Sequence, residues 1–115
     1  MLILVTGGSG FIGSHVVDKL VGRGTAVRVF DLIPPSFRSD VEFCEGDILD
    51  IGRLKEALAG VDAVVHLAAV ADVKDVFESP KQAEEVNVRG TINVLEAMRF
   101  VDVSQIIYGS TIWVY

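Results

Sequence analysis

The sequence predicts an α/β fold built on a parallel sheet of about five strands. Short β-branched runs alternate with helical patterns along the chain. Strands separated by helices imply right-handed crossovers and a parallel sheet. Half of the residues are hydrophobic, as expected for strands buried on both faces. With 115 residues the chain has room for one domain, residues 1–115.

The first crossover runs from the apolar strand Leu2–Val5 through a helix at Ile12–Leu20 to the strand Ala26–Phe30. Asp31 and a pair of prolines end that second strand. Five side chains are expected near one face of this helix, namely those of Phe11, Ile12, His15, Val16 and Leu20.

The rest of the chain continues the alternation. A third strand follows a proline-containing loop, in which the helix is expected to be short or missing. Gly90 lies inside the last helix at a cost of about 1 kcal/mol against alanine, which suggests close backbone packing. Asp50 is a plausible N-cap for the helix before the fourth strand, and Gly60 ends that helix. The predicted elements are strands at Val41–Cys44, Ala63–Leu67 and Gln105–Tyr108, and helices at 50–59 and Pro80–Arg99.

Composition excludes several classes of function. A net charge of −6 with no basic patch argues against nucleic acid as a partner. Cys44 is the only cysteine, so no disulfide framework is expected. We expect a buried thiol and a reducing compartment. No apolar run is long enough to span a bilayer, and the LILV opening lacks the basic region of a signal peptide. We therefore expect a cytoplasmic protein with no membrane partner and no bound metal.

The segment TGGSGFIG, directly after the first strand, predicts a phosphate-binding turn. Gly7, Gly10 and Gly13 would permit the tight turn, the approach of a pyrophosphate to the backbone, and close packing of helix on strand. The helix beginning near Phe11 would direct unpaired N–H groups at the phosphates. A surface turn that uses glycine only for positive φ is the alternative.

Asp31 ends the second strand 24 residues after Gly7. Its carboxylate is placed to accept hydrogen bonds from an adenosine ribose. A 2′-phosphate would meet a like charge there, worth about 4 kcal/mol at an effective dielectric of 20, and the next arginine is Arg38. NAD is therefore favoured over NADP, although an aspartate in this position can also be a plain turn residue.

Further motifs follow these two along the chain, namely Gly46-Asp47-Ile48, His66-Leu67-Ala68-Ala69, Asn87-Val88-Arg89-Gly90-Thr91, and Ser110 to Tyr115. Together with TGGSGFIGSH at the start and Asp31, they resemble the extended short-chain dehydrogenase/reductase family of nucleotide-sugar epimerases and dehydratases. The resemblance spans residues 1–115 and implies a Rossmann-type doubly wound sheet with strand order 3-2-1-4-5, truncated relative to the family.

The resemblance also implies roles for individual residues. Asp47 would bind the adenine amine and Ile48 would pack on the ring, whereas the residues alone equally allow Asp47 to cap a turn. Asn87 would steady the loops on the nicotinamide side, and its alternative is an exposed helical asparagine. His66 is expected to be a packing residue. The remaining cofactor-binding residues are Phe11 and Ile12 at the helix start and Leu67, Ala68 and Ala69 after the fourth strand.

Thr111 corresponds to the family's catalytic hydroxyl, which hydrogen-bonds the substrate; alone, it could as well be a turn or cap residue. The family's general base is the tyrosine of a YxxxK motif, and this sequence contains none, since Tyr108 is followed four positions later by Ile112. We therefore expect the amino-terminal part of a longer enzyme, binding NAD without turnover by itself.

An uncovered fifth strand and helix face would favour a homodimer. Two alternatives to the nucleotide-sugar enzyme stay open: a non-catalytic NAD-binding regulator or subunit, and a fragment of a related ketone or steroid reductase.

Overall fold

A computed structural model describes residues 1–111, so the predicted motif residues Ile112 to Tyr115 lie outside the described part. The elements in chain order are β1 Leu2–Thr6, α1 Phe11–Gly22, β2 Ala26–Asp31, β3 Glu42–Glu45, α2 Ile51–Ala57, β4 Ala63–His66, α3 Val73–Glu78, α4 Pro80–Glu84, a π-helical segment Glu85–Arg89, α5 Gly90–Phe100 and β5 Gln105–Tyr108.

The five strands form one parallel sheet in the order β3-β2-β1-β4-β5, which confirms the predicted fold class. The register aligns the carboxyl ends of the central strands. Thr6 of β1 pairs with Phe30 of β2 on one side and with His66 of β4 on the other, and His66 pairs with Tyr108 of β5. The loops that leave these strands therefore share one edge of the sheet.

The central strands β1, β2 and β4 contribute to cores on both faces of the sheet, because successive side chains of a strand point to opposite sides. Leu4 and Val64 contribute to a core cluster that includes residues of α2 and α5. Val5 and Val65 contribute to the cluster on the other face, which includes Val17 of α1. This double burial accounts for the high apolar content of the short strands.

The predicted apolar face of α1 is wrong in its first turn. Phe11 and Ile12 are 83% and 64% exposed and His15 is exposed, whereas Gly13 and Val17 are buried. Val16 and Leu20 do pack against the sheet, as expected. A period of 3.6 residues that passes through Gly13 and Val17 leaves the first two side chains of the helix pointing away from the sheet.

Two further features were not predicted. The helix α3 begins after Asp72, whose carboxylate accepts from the N–H of Lys74 at 2.8 Å, and all its side chains are exposed. The long helical stretch 80–100 is continuous, but it contains the five-residue π segment. The short or missing helix predicted between β2 and β3 is missing, and the predicted Asp50 cap is confirmed, with Asp50 accepting from the N–H of Arg53 at 3.0 Å.

Cys44 is half-buried and packs against the core beside α2 and α5. No helix in residues 1–111 has the length and apolarity needed to cross a membrane. Across the same residues, no group of three or more histidine, cysteine or acidic side chains is arranged to hold a metal ion.

The predicted close packing at Gly90 is confirmed, because a Cβ there would overlap the end of the Ile48 side chain, with Cγ1 only 2.7 Å away. We expect Gly90→Ala to lower the free energy of unfolding by about 1–3 kcal/mol through overpacking. Urea denaturation measures this change. Gly52→Ala in α2 is the matched control, since its nearest neighbour atom lies at 3.5 Å, and it should be neutral or stabilising. Equal stability of the two variants would contradict the packing argument.

Candidate functional site

In the turn after β1, the main chain closely approaches β2, the loop after β4 and the start of α1. Gly7 has φ of +70°, and its N–H donates to the carbonyl oxygen of Phe30 at 3.0 Å. A Cβ at Gly7 would lie 2.8 Å from the amide nitrogen of Ala68, and one at Gly13 would overlap the Gly7 carbonyl oxygen. These two positions therefore accept only glycine without movement of the backbone.

The start of α1 faces the same edge of the sheet. Gly10 is its N-cap and supplies no side-chain cap, and the first turn contains no acidic residue. The N–H groups of the first turn have no intrahelical acceptor, and the helix dipole adds partial positive charge. This end of the helix is suited to an anion that approaches the backbone closely.

Asp31 lies beside the glycine turn, as the sequence predicts. Its Oδ2 accepts from the N–H of Ser9 at 3.0 Å, and its Oδ1 accepts from the N–H of Leu32 at 2.7 Å. Ser9 also donates its hydroxyl to the carbonyl oxygen of Ile33 at 2.7 Å. Sequence reasoning missed this role of Ser9, although the residue stands in the centre of the glycine motif.

Asp47 and Ile48 follow β3 at the same edge. The Oδ1 of Asp47, which is exposed, accepts from the N–H of Leu49 at 2.9 Å, so the turn-capping alternative is observed. Ile48 is only 4% exposed and packs against Gly90. The contacts of both residues with an adenine stay predictions.

A cleft of about 460 Å³ opens between the loop after β4, the long helical stretch and the end of β5. It brings together five of the predicted site residues, namely Leu67, Ala68, Ala69, Asn87 and Thr111. The glycine turn, Asp31, Asp47 and Ile48 do not line it. The predicted residues thus form two groups along the sheet edge, one near β1, β2 and β3 and the other between β4 and β5.

Asn87 lines this cleft and fixes one of the loops that form it. Its Oδ1 accepts from the N–H of Val70 at 2.8 Å, and its Nδ2 donates to the carbonyl oxygen of Val70 at 3.0 Å. This pair of bonds fixes the loop after β4 against the π segment. The alternative of an exposed helical asparagine is therefore excluded.

His66 is 2% exposed and both its ring nitrogens are hydrogen-bonded, in agreement with a packing role. Nδ1 lies 2.7 Å from the Oγ1 of Thr6, and Nε2 lies 2.9 Å from the Oγ1 of Thr91. Neither threonine was predicted as a partner; the signal available in the sequence was the spacing of four between Asn87 and Thr91, which places both on one helix face.

Burial lowers the pKa of His66 below its ordinary value of 6.5. The groups packed around the ring are the hydroxyls of Thr6 on β1 and Thr91 on α5, and the Tyr108 ring of β5, whose centroid is 6.0 Å away. None of these carries a charge at neutral pH, so nothing among them offsets the cost of a buried imidazolium.

Comparison with known proteins gives a consistent result. The profile of the NAD dependent epimerase/dehydratase family matches residues 3–115. A UDP-glucose 4-epimerase of Erwinia amylovora is 36% identical over 128 residues, covering all of this chain and 38% of that protein. The structure of the Thermus thermophilus UDP-glucose 4-epimerase in complex with NAD matches with a TM-score of 0.90 at 38% identity, covering 96% of this chain.

A second solved structure, the UDP-glucose 4-epimerase of Thermotoga maritima with UDP-glucose, matches with a TM-score of 0.90 at 36% identity, again over 96% of this chain. In each of these three comparisons the chain spans 38% of the length of the relative. The similarity therefore confirms the fold and the resemblance found from the motifs.

We expect the stability of the protein to fall as the pH is lowered below about 6.5, before carboxylates titrate. The unfolded chain takes up a proton at the ordinary pKa of histidine, whereas the folded chain does so only at its lowered value, so acid favours unfolding in that window. Above about 6.5 the contribution is constant. Urea unfolding between about pH 5.5 and 8 measures the slope.

The two histidines of the chain provide the control for this experiment. His66→Gln should flatten the pH dependence, whereas His15→Gln, at an exposed position of α1, should leave it in place. The same slope in both variants would show that His66 is not its source.

Proposed function

The chain belongs to the NAD-dependent epimerase/dehydratase family, and from that premise we propose that residues 1–115 form the NAD-binding portion of a nucleotide-sugar epimerase- or dehydratase-like enzyme. In such a reaction a sugar carbon is oxidised transiently, and the cofactor supplies the hydride acceptor. The proposal has two parts. The first is a cofactor site formed by residues of this chain, and the second is a catalytic reaction that needs residues which this chain does not contain.

One observation carries the cofactor site: the Asp31 carboxylate and the glycine turn are joined by the 3.0 Å hydrogen bond from the N–H of Ser9. In this proposal Asp31 is the ribose acceptor and the glycine turn is the phosphate cradle, and both lie at the carboxyl edge of a parallel sheet, beside the central strand β1 where the strand order reverses. The crowding at Gly7 and Gly13 keeps the turn close against the start of α1 and the loop after β4.

The proposed contacts follow the two groups of residues along the edge. The diphosphate would meet Gly7, Gly10 and Gly13 and the amides of Phe11 and Ile12, and the adenosine half would meet Asp31, Asp47 and Ile48. The nicotinamide half would lie towards the cleft, bounded by Leu67, Ala68, Ala69 and Asn87.

The charges near Asp31 favour NAD over NADP. Arg38, the nearest following arginine, makes 2.7 Å ion pairs with Asp18 and Asp40. The hydrogen bonds that its guanidinium donates to the carboxylates of Asp40 and Asp18 raise the pKa of Arg38, and the bonds received from Arg38 lower the pKa of Asp40. A cation engaged in this way does not offset the repulsion between Asp31 and a 2′-phosphate.

For the chemistry, we propose that Thr111, which lines the cleft, hydrogen-bonds the reacting oxygen of a nucleotide-sugar substrate. No tyrosine of the chain is followed four residues later by lysine, so residues 1–115 lack a Tyr–Lys base pair. We therefore propose NAD binding without turnover by this chain alone. We further propose a cytoplasmic location, on the basis of its single cysteine.

Calorimetric titration with NAD⁺ and NADP⁺ tests the cofactor proposal. We expect NAD⁺ to bind more tightly than NADP⁺, and Asp31→Ala to weaken NAD⁺ binding about 10- to 100-fold, the effect of losing a charge-assisted hydrogen bond. Gly10→Val should also weaken binding by placing side-chain atoms in the cradle.

The matched control is Glu96→Ala, which removes the same charge from an exposed position on α5 and should leave binding unchanged. Equal affinity for the two dinucleotides, or no effect of Asp31→Ala, would contradict the site. Epimerisation of UDP-glucose by residues 1–115 alone would contradict the proposed absence of turnover.

We also propose that the chain self-associates as a homodimer through its exposed apolar surface. The edge strand β5 leaves Ile107 and Tyr108 67% and 57% exposed, and α5 leaves Ile92, Leu95 and Phe100 exposed. An uncovered apolar edge strand is a template for pairing with a second copy.

Sedimentation velocity over a range of protein concentrations measures this association. We expect a dimer for the unmodified chain and a shift towards monomer for Ile107→Lys, because a charged edge residue opposes strand pairing. Lys19→Ala, at an exposed position of α1 on the opposite face of the sheet from α5, is the control. A monomer at every concentration would contradict the dimer.

A further inference from the structure

A network of hydrogen-bonded side chains joins β1, β4 and the long helical stretch, and two of its members, His66 and Thr91, line the cleft. It runs from Thr6 through His66 to Thr91 and ends at the carbonyl oxygen of Asn87, with distances of 2.7, 2.9 and 2.7 Å. Thr6 and His66 are buried, with exposures of 0% and 2%. Such a network is favourable only if every donor meets an acceptor.

The partners at the two ends of this network determine where the protons of the hydroxyls and of the imidazole lie. The hydroxyl of Thr91 donates its only proton to the Asn87 carbonyl, so towards His66 it can only accept, and Nε2 must carry hydrogen. The Oγ1 of Thr6 already accepts from the N–H groups of Leu67 and Ala68 at 3.1 and 3.2 Å, so its proton goes to Nδ1. Both ends require the same neutral Nε2–H tautomer.

Both ends of this hydrogen-bonded network also contact the loops that the proposed function places beside the cofactor. Thr6 directly precedes Gly7 and holds the first two amides after β4 through its hydroxyl. Asn87, at the other end, clamps both backbone groups of Val70 and lies in the π segment, a helical irregularity that often marks functional sites. The loop 67–70 is therefore fixed at its start by Thr6 and at its end by Asn87, with His66 between the two anchors.

We propose that His66 is a positioning residue, which as the neutral Nε2–H tautomer locks the loop 67–70 between β1 and the π segment and so sets the shape of the cleft. Because the proposed function puts the nicotinamide half of the cofactor on this side, the inference rests on that function for its effect on binding. The network acts through loop geometry and requires no contact between His66 and the ligand.

The tautomer can be measured on the unmodified protein. Long-range ¹H–¹⁵N NMR correlation of the imidazoles at neutral pH should show hydrogen on Nε2 and none on Nδ1 of His66, with exposed His15 as the internal reference. An Nδ1–H tautomer, or a rapidly exchanging mixture, would overturn the proposal. This result does not depend on any variant folding.

Substitution of Thr91 separates positioning from general stability. Thr91→Val removes the acceptor for Nε2 at nearly constant volume, and Thr91→Ser restores it. We expect Thr91→Val to weaken NAD⁺ binding about five- to tenfold, as for one lost buried hydrogen bond, while ADP, which lacks the nicotinamide half, binds within twofold of the unmodified chain. Amide hydrogen exchange at Leu67, Ala68 and Val70 should rise in Thr91→Val and return in Thr91→Ser.

Thr25→Val, at a half-buried threonine before β2, is the matched control and should change neither affinity nor exchange in the loop. Equal losses of NAD⁺ and ADP affinity in Thr91→Val, or no loss at all, would overturn the positioning role. Failure of the unmodified chain to bind either nucleotide would overturn the proposed function instead, and the tautomer and loop exchange would still decide whether His66 positions the loop.

Discussion

The close approach of three backbone segments at the end of β1 is the constraint on which the rest of the site depends. Gly7 packs against the amide of Ala68, and Gly13 packs against the carbonyl of Gly7, at separations that leave no room for a Cβ. This approach brings the start of α1 to the sheet edge and lets the Ser9 amide reach Asp31. Any side chain at these positions would separate the helix, the turn and the loop after β4.

The two sides of the sheet edge are built by different means. Near β1 and β2, the main chain provides the donors, and Asp31 provides the only fixed charge bound to the turn among the described residues. On the side of β4 and β5, the side chains of Thr6, His66 and Asn87 fix the loop after β4 through hydrogen bonds. A backbone cradle tolerates many side chains around it, whereas a buried polar network loses most of its value when one member is missing.

How much the sequence predicts depends on the range of the interaction. The strands, the glycine turn, the Asp50 cap and the position of Asp31 follow from local pattern and from connection rules, and each was predicted. The exposure of Phe11 was not predicted, because periodicity alone allows an apolar residue in a first turn to face either the sheet or the solvent. Helix α3 was not predicted either. The partners of His66 come from residues 60 positions before it and 25 after it, and no local pattern specifies such pairings.

The proposed binding of a dinucleotide by an acidic protein needs a source of positive potential, and the arrangement of charges indicates where it lies. The net charge is −6, and Arg38, the first arginine after Asp31, is held by two aspartates. The uncapped amides at the start of α1 remain, supported by the helix dipole and by the absence of acidic residues in its first turn. Recognition by amides at fixed positions depends on shape more than on net charge, which explains why the glycine positions tolerate so little change while the surface charge of the chain can be strongly negative.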